Sequence, residues 1–235
     1  MSVAAIVPAA GRGERLGPGQ PKALRTVGGV PMLVHAVRAL SRARLVDLVV
    51  VAAPADGVAE VSALLALHDI GAEVIVVAGG AERQESVSRA LDALPDDVSV
   101  VLVHDAARPL APSELADAVA ETVLAGNNAV VPGLPIADTV KRVGAREGAL
   151  ELVTETVRRD DLRSIQTPQG FDRGVLAKAH AAAEEFATDD AGLVERLGLP
   201  VVVVPGSAEA FKITRPVDLV LAEAVLAERR ARGAL

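Results

Sequence analysis

A chain of 235 residues that is 51% hydrophobic can bury a sizeable core, but with 1% aromatic residues and neither Trp nor Tyr that core must be built from Val, Leu, Ile and Ala. The scarcity of rings and a net charge of −7 exclude the stacking platforms and basic surfaces of nucleic-acid binders, and a basic face for anionic lipid. There is no cysteine for disulfides or thiolate ligands, no apolar run near the ~20 residues of a membrane helix, and a first strand from residue 3 that leaves no room for a signal peptide, so the expectation is one domain over 1–235, cytoplasmic, without nucleic-acid or membrane partners.

Val3 to Val7 reads as a buried strand that runs straight into Pro8 to Lys22, where small residues and cations crowd together. Glycines let a backbone approach an anion closely with its N–H groups turned inward, and Arg12, Arg15 and Lys22 add the opposite charge. Two familiar phosphate loops fail on spacing. A P-loop needs Gly-x-x-x-x-Gly-Lys-Ser/Thr, but Gly13 precedes Glu14, Gly17 precedes Pro18 and Lys22 precedes Ala23. A dinucleotide loop needs a third small residue opening a helix, but Leu16 stands there and Pro18 and Pro21 oppose an immediate helix. The stretch reads as a long, extended phosphate cradle.

Beyond it the chain alternates two periodicities. Pro31 fits a first helical turn, with Met32, Leu33, Ala36, Val37 and Leu40 on one face; Val46 to Ala52 is a near-continuous apolar run. Val58 to His68 and Gln84 to Leu94 read as helices, and Glu73 to Val77 and Val98 to Val103 as strands. Ser113 to Ala125 is a further helix, with Ser113 as N-cap and Gly126 as its stop. This βα repeat implies an α/β fold, a mostly parallel sheet covered by helices on both faces. The pattern breaks between Leu134 and Thr156, where Asp138 to Val143 and Leu150 to Glu155 alternate in polarity and suggest an antiparallel hairpin, an arm inserted over 134–160. Two strands alone are marginal in water, so the body or a second copy should cover one face. Helices at Gly174 to Glu185 and Asp190 to Leu197, a strand at Val201 to Val204 and a closing helix from Pro216 to Arg230 complete the chain.

Ligands of open α/β sheets gather outside the carboxyl ends of the strands. Besides the cradle, three loops there are informative. Ala78 to Ser86 places Gly79 and Gly80 between strand and helix, where free N–H groups can meet a base, ribose or phosphate. Asp105, in His104-Asp105-Ala106-Ala107-Arg108-Pro109, can hold Mg²⁺ or pair locally with Arg108, and His104 lacks a second His for zinc. Lys212 precedes a helix start and reads either as a ligand cation or as a solvated side chain.

Pro8-Ala9-Ala10-Gly11-x-Gly13-x-Arg15, Pro21-Lys22, Gly79-Gly80-x-Glu82-Arg83-x-x-Ser86-Val87, His104 to Pro109, Asp138-Thr139-Val140-Lys141, Thr167-Pro168-Gln169 and Lys212 to Pro216 together resemble the 2-C-methyl-D-erythritol 4-phosphate cytidylyltransferases, in order along nearly the whole chain. The resemblance implies the nucleotidyltransferase α/β fold with a projecting arm, a homodimer formed through that arm, Mg²⁺ dependence, and transfer of CMP from CTP to methylerythritol phosphate in the non-mevalonate isoprenoid pathway. It implies catalytic roles for Arg15, Lys22 and Lys212, and cytidine held at Ala9, Ala10, Gly11, Gly13, Gly80, Ala81 and Ser86. Asp105 would lie by metal and substrate, and Arg108, Thr139, Arg159, Thr167 and Thr188 by methylerythritol phosphate, with Thr139 and Arg159 reaching the neighbouring subunit's site. Two departures stand out. The family commonly has Asp where this chain has Ala81, which bears on CTP selectivity, and often Asp at Arg158, which leaves open whether Arg158 or Arg159 meets the phosphate. A ribitol-5-phosphate cytidylyltransferase would share the CTP site and differ in its alcohol pocket; a non-catalytic regulator would lack Arg15, Lys22 or Lys212, and all three are present.

Overall fold

The computed structural model describes residues 2–11, 21–148, 150–185 and 187–233. β1 (Ser2–Pro8) lies in the middle of a mixed sheet, because Val3 to Val7 are apolar at every position and can face a helix layer on each side. A tight hairpin of β2 (Thr26–Val27) and β3 (Val30–Pro31) follows, turning on Gly28 and Gly29 at φ 59° and 78°, the left-handed pair a two-residue hairpin requires. Then come α1 (Met32–Ser41), β4 (Leu48–Ala53), α2 (Val58–Ala66), β5 (Glu73–Ala78), α3 (Arg83–Asp92), β6 (Val98–Val103) and α4 (Ser113–Leu124). β6, β1, β4 and β5 pair in parallel, with Ile6 opposite both Val103 and Val50.

The second half is less regular. β7 (Ala129–Pro135), the hairpin of β8 (Val140–Glu147) and β9 (Leu150–Val157), β10 (Arg163–Ile165), β11 (Gln169–Asp172), α5 (Arg173–Ala181), α6 (Asp190–Arg196), β12 (Val202–Pro205) and α7 (Pro216–Ala231) complete the order. Among the described residues the main sheet has eight strands in the order β10-β7-β11-β6-β1-β4-β5, with β12 also on β7. β11 runs antiparallel to both its neighbours, β6 and β7. No helix among the described residues is long and apolar enough to cross a membrane.

Alternation along β1 assigns its side chains to two cores. Val3, Ala5 and Val7 pack with Leu33, Val37, Val61 and Val119 from α1, α2 and α4. Ala4 and Ile6 face Val87, Ala90, Leu176 and Val194 from α3, α5 and α6. Burying a Val or Ile is worth about 1.5–3 kcal/mol against about 1 for a net hydrogen bond, so the two layers, more than the ladder, hold the central strand. A smaller cluster of Met32, Leu110, Ile213 and Leu226 fastens α7 to the body.

Local details correct the sequence reading. Pro31 is the N-cap of α1, one place before the expected first turn, and Pro112 takes the cap position of α4, leaving the Ser113 hydroxyl to donate to Glu114. Gly126, at φ 102°, does stop α4. α5 ends at Ala181, four residues short of Glu185. β8 begins at Val140, not Asp138, and among the described strands pairs with β9 alone. Arg142 and Glu155 bridge the hairpin at 2.9 Å, while Val143, Leu150, Leu152 and Val153 are 46–74% exposed, so this chain's own body does not cover the arm.

Gly170 of β11 sits beneath α4, where an added Cβ would stand 2.5 Å from Val119 Cγ1 and 3.0 Å from Val123 Cγ2. Gly170→Ala should therefore lower unfolding stability by about 1–3 kcal/mol through overpacking, read from the urea midpoint, and an unchanged midpoint would contradict this packing.

Candidate active site

Three loops leave the same end of the sheet, each pinned to a neighbouring strand by one more ladder bond. Ala9 N–H donates to Ala52 O at 2.8 Å, Gly79 N–H to Ala53 O at 2.7 Å, and His104 N–H to Ile6 O at 2.9 Å. A fourth segment is drawn in by Ile213 N–H donating to Ala107 O at 2.8 Å, which carries Lys212 to the same place. Between them opens a cleft of about 740 Å³. Ala9, Ala10 and Gly11 form one wall, Gly80, Ala81 and Ser86 another, and Lys22, Lys212, Arg83 and Asp105 supply its charge. Lys22 stands on a short 3-10 turn, Lys22–Leu24. A second hollow of about 1390 Å³ adjoins, sharing Ala9, Ala10, Gly80 and Ala81 and reaching Leu33, Asp56 and Arg89.

Asp105 is the electrostatic hub. Its Oδ1 accepts from Arg83 Nε at 3.2 Å, its Oδ2 lies 2.7 Å from Lys212 Nζ, and Arg108 Nε is 4.0 Å away. Burial opposes ionisation, but Arg83, Lys212 and Arg108 outweigh it and hold the carboxyl well below the usual range. Arg83 is itself shared: Nη1 donates to Asp190 Oδ2 at 2.7 Å, and Asp190 Oδ1 accepts from His180 Nε2 at 3.0 Å. Burial disfavours the guanidinium charge, yet Asp190 and Asp105 raise its pKa all the same. A chain of contacts thus runs from the buried His180 and Asp190 of α5 and α6 to Arg83 of α3 at the cleft.

Beneath Asp105 lies a second, uncharged chain. His104 is fully buried and its Nε2 faces Arg108 O at 3.2 Å, so that nitrogen carries the proton and Nδ1 accepts from Thr167 Oγ1 at 3.1 Å. Thr167 Oγ1 in turn accepts the Asp105 N–H at 3.0 Å. Burial pushes the His104 pKa down to about 4, against the pull of Asp105, which keeps the ring neutral.

The turn after β5 differs from its sequence reading. Gly79 N–H is used by Ala53, Gly80 N–H donates to Ser86 Oγ at 3.0 Å, and Ala81 N–H donates to Glu85 Oε2 at 2.8 Å. The expected free donors are therefore engaged within the protein, and the turn offers the cleft a fixed shape in their place. Contact requires glycine at 79, where a Cβ would lie 2.8 Å from Ala10 Cβ, while a Cβ on Gly80 would displace the Glu85 side chain from the turn. Arg89 clamps the turn from below, donating to Gly79 O at 2.7 Å and pairing with Glu85.

The other expected site residues fall in three groups. Gly13 and Arg15 lie outside the described residues. Arg108 and Thr167 are buried behind Asp105 and do not line the cleft; Arg108 donates to Ala210 O at 2.6 Å and Ile165 O at 3.3 Å. Thr139, Arg159 and Thr188 are exposed and do not line their own chain's cleft. Arg159 donates to Ala137 O, whereas Arg158 lies 3.5–3.6 Å from Asp160 and Asp161. Arg83 and its partners Asp190 and His180 carry no role in the sequence reading. Arg83 is signalled there only as part of the Gly79 to Val87 motif, a cation opening a helix after a Gly-Gly turn.

Residues 3–228 match the family model described as 2-C-methyl-D-erythritol 4-phosphate cytidylyltransferase (IspD). Proteins named 2-C-methyl-D-erythritol 4-phosphate cytidylyltransferase are similar along nearly the whole chain: one from Streptomyces coelicolor at 59% identity, covering 97% of this chain and 86% of its own length, and one from Frankia casuarinae at 63%, covering 96% and 81%. The crystal structure of the enzyme of that name from Thermus thermophilus aligns with a TM-score of 0.76 at 40% identity over 97% of this chain and 100% of the other. That of a 4-diphosphocytidyl-2C-methyl-D-erythritol synthase from Anaerococcus prevotii aligns at 0.81 and 30% identity over 96% of each.

The neutral, buried His104 sets a pH dependence. An unfolded chain protonates this ring below its ordinary value of 6.5, and the fold only below about 4, so stability is fully present above 6.5 and falls as pH drops between the two. The loss should reach about 3 kcal/mol, and His104→Gln should show a shallower slope in urea unfolding across that window; equal slopes would refute the assignment.

Proposed function

The chain belongs to the 2-C-methyl-D-erythritol 4-phosphate cytidylyltransferase family, and from that premise we propose that it transfers the CMP group of CTP to 2-C-methyl-D-erythritol 4-phosphate, releasing pyrophosphate, as a step of the non-mevalonate isoprenoid pathway. The observation that carries this reading is the cleft where Lys22 and Lys212 flank Asp105 beside a glycine turn that leaves room for a nucleoside. A phosphate oxygen of methylerythritol phosphate attacks the α-phosphorus of CTP in line. The new O–P bond forms as the bond to the β,γ-pyrophosphate breaks, and that pyrophosphate departs with the bonding pair. No protein nucleophile and no proton transfer is needed. Catalysis then rests on alignment and on cations that meet charge growing on the α-phosphoryl and leaving groups. Lys22 and Lys212 serve this purpose, and Arg15 joins them in this reading.

Cytidine lies against Ala9 to Gly11 and the Gly80–Ala81 turn, whose shape Ser86, Glu85 and Arg89 fix. Ala81 leaves only its backbone and methyl there, so selection of the base rests on fit. Arg83 and Arg108 hold Asp105 in place, and Thr167 supports it from below.

Mg²⁺ fits this site through a single carboxylate. No group of three or more His, Cys, Asp or Glu able to hold a metal occurs among the described residues, so Asp105 would be joined by phosphate oxygens, the usual manner for this ion. Both Asp105 oxygens already face cations, and Lys212, 39% exposed, is the one free to swing toward a phosphate. Bound Mg²⁺ would neutralise triphosphate charge.

A homodimer completes the reading. The uncovered apolar side chains of the arm fit burial against a second copy, and Thr139 and Arg159 at its base would serve the partner's cleft.

With Mg²⁺ and CTP the protein should release pyrophosphate on adding methylerythritol phosphate, and far less with ribitol 5-phosphate; equal rates would overturn the alcohol assignment. Lys212→Ala should lower kcat by roughly 100- to 1000-fold with the fold intact by circular dichroism. Mixing inactive Lys22→Ala and Arg159→Ala subunits should restore activity toward about a quarter of the wild-type level, since half the dimers are hybrids with one intact site. No recovery despite subunit exchange would sink the shared site.

A further inference from the structure

On the far side of the 104–110 loop, between α1 and α7, lies a further concave site that shares no lining residue with the cleft. Arg38, Arg42, Arg229 and Arg230 line it together with His35, in a chain whose net charge is −7. The opposite wall is apolar, built from Val30, Ala39, Pro109, Leu110 and Leu226. The geometry points to a binding site for a small phosphate or diphosphate ester with a short apolar tail.

Compensation within the protein is incomplete. Glu209 pairs with Arg229, which also donates to Leu110 O at 2.5 Å, so Arg229 is a fixed part of the wall. Glu223, the other carboxylate near the pocket, accepts Gly28 N–H at 2.7 Å. Arg38 makes two contacts at 3.3 Å, to Asp69 O and His68 Nδ1, and Arg230 one at 3.4 Å, to Gly28 O. Arg42 is exposed, and its guanidinium has no hydrogen bond or ion pair among the described residues. His35 adds no charge: burial, with Arg38 and Arg230 nearby, lowers its pKa, and its Nε2–H donates to Val27 O at 2.8 Å.

Three guanidiniums with unused donors line one hollow, and planar forks suit several oxygens on one phosphorus better than a single carboxylate. The apolar wall of Val30, Ala39, Pro109, Leu110 and Leu226 gives a short tail a place that bare pyrophosphate cannot use. The site also touches the catalytic loop from behind, since Pro109 and Leu110 follow directly on Arg108.

Calorimetric titration of the full chain with a five-carbon alkyl diphosphate tests this directly. We expect saturable binding that survives Lys22→Ala/Lys212→Ala, which disables the cleft, and that weakens at least about tenfold in Arg42→Glu/Arg230→Glu and measurably in the milder Arg42→Gln. Turnover without the probe should be unchanged in the Arg42 and Arg230 variants, and inorganic pyrophosphate should bind more weakly than the alkyl ester. Absence of saturable binding, loss of binding with the cleft variants, or full retention in the Arg42 and Arg230 variants would overturn the site. Equal affinity for pyrophosphate would overturn the apolar half of the assignment.

Discussion

A carboxylate buried among three cations holds the working end of this protein together. Asp105 comes off β6, Arg83 off the first turn of α3, Lys212 from the segment ahead of α7, and Arg108 from its own loop. None of these elements is adjacent in sequence to all the others, so the ion cluster forms only when β6, α3 and the segment ahead of α7 have come together. Breaking a buried charge pair by removing one partner is far more damaging than never having had it, because the remaining charge keeps its desolvation penalty. Counting Asp190, the cluster sets three cations against two carboxylates, an excess of one positive charge in a chain of net −7. Local surplus within global deficit is a workable arrangement for a polyanionic ligand, since the field is concentrated at the cleft.

Two kinds of support reach this cluster. The charged one passes from His180 through Asp190 to Arg83, and the neutral one from Arg108 O through His104 and Thr167 to the Asp105 N–H. The neutral chain has a fixed direction of donation, which only a neutral imidazole satisfies. That explains why a histidine next to the cleft's carboxylate is itself fully buried.

The parallel half of the sheet was readable because its strands are runs of Val, Ile, Leu and Ala such as Val98 to Val103, apolar on both faces and bounded by polar turns. β11 was not, since Gln169 and Gly170 carry no strand signal; Gly170 is there because α4 presses on it, a fact visible only in three dimensions. β7 was hidden by Pro132, Gly133 and Pro135. In the site, the glycines and the cations Lys22 and Lys212 were legible from composition and motif. The satisfaction of the Gly80 and Ala81 amides by Ser86 and Glu85, and the bridging role of Arg83, were not, because each depends on which side chain folds back over a turn.

The position of β11 governs the order in which the sheet can be completed. β7 makes no ladder with β6, and among the described strands it and its companions β10 and β12 join the parallel half only through these four residues. A chain emerging from the ribosome can assemble β6, β1, β4 and β5 once residue 103 is free, yet one edge of β6 has no strand to meet until residues 169–172 have been made. For the intervening 65 or so residues of synthesis, about three to thirteen seconds at ordinary rates, an apolar strand edge stands open beside the start of the 104–110 loop.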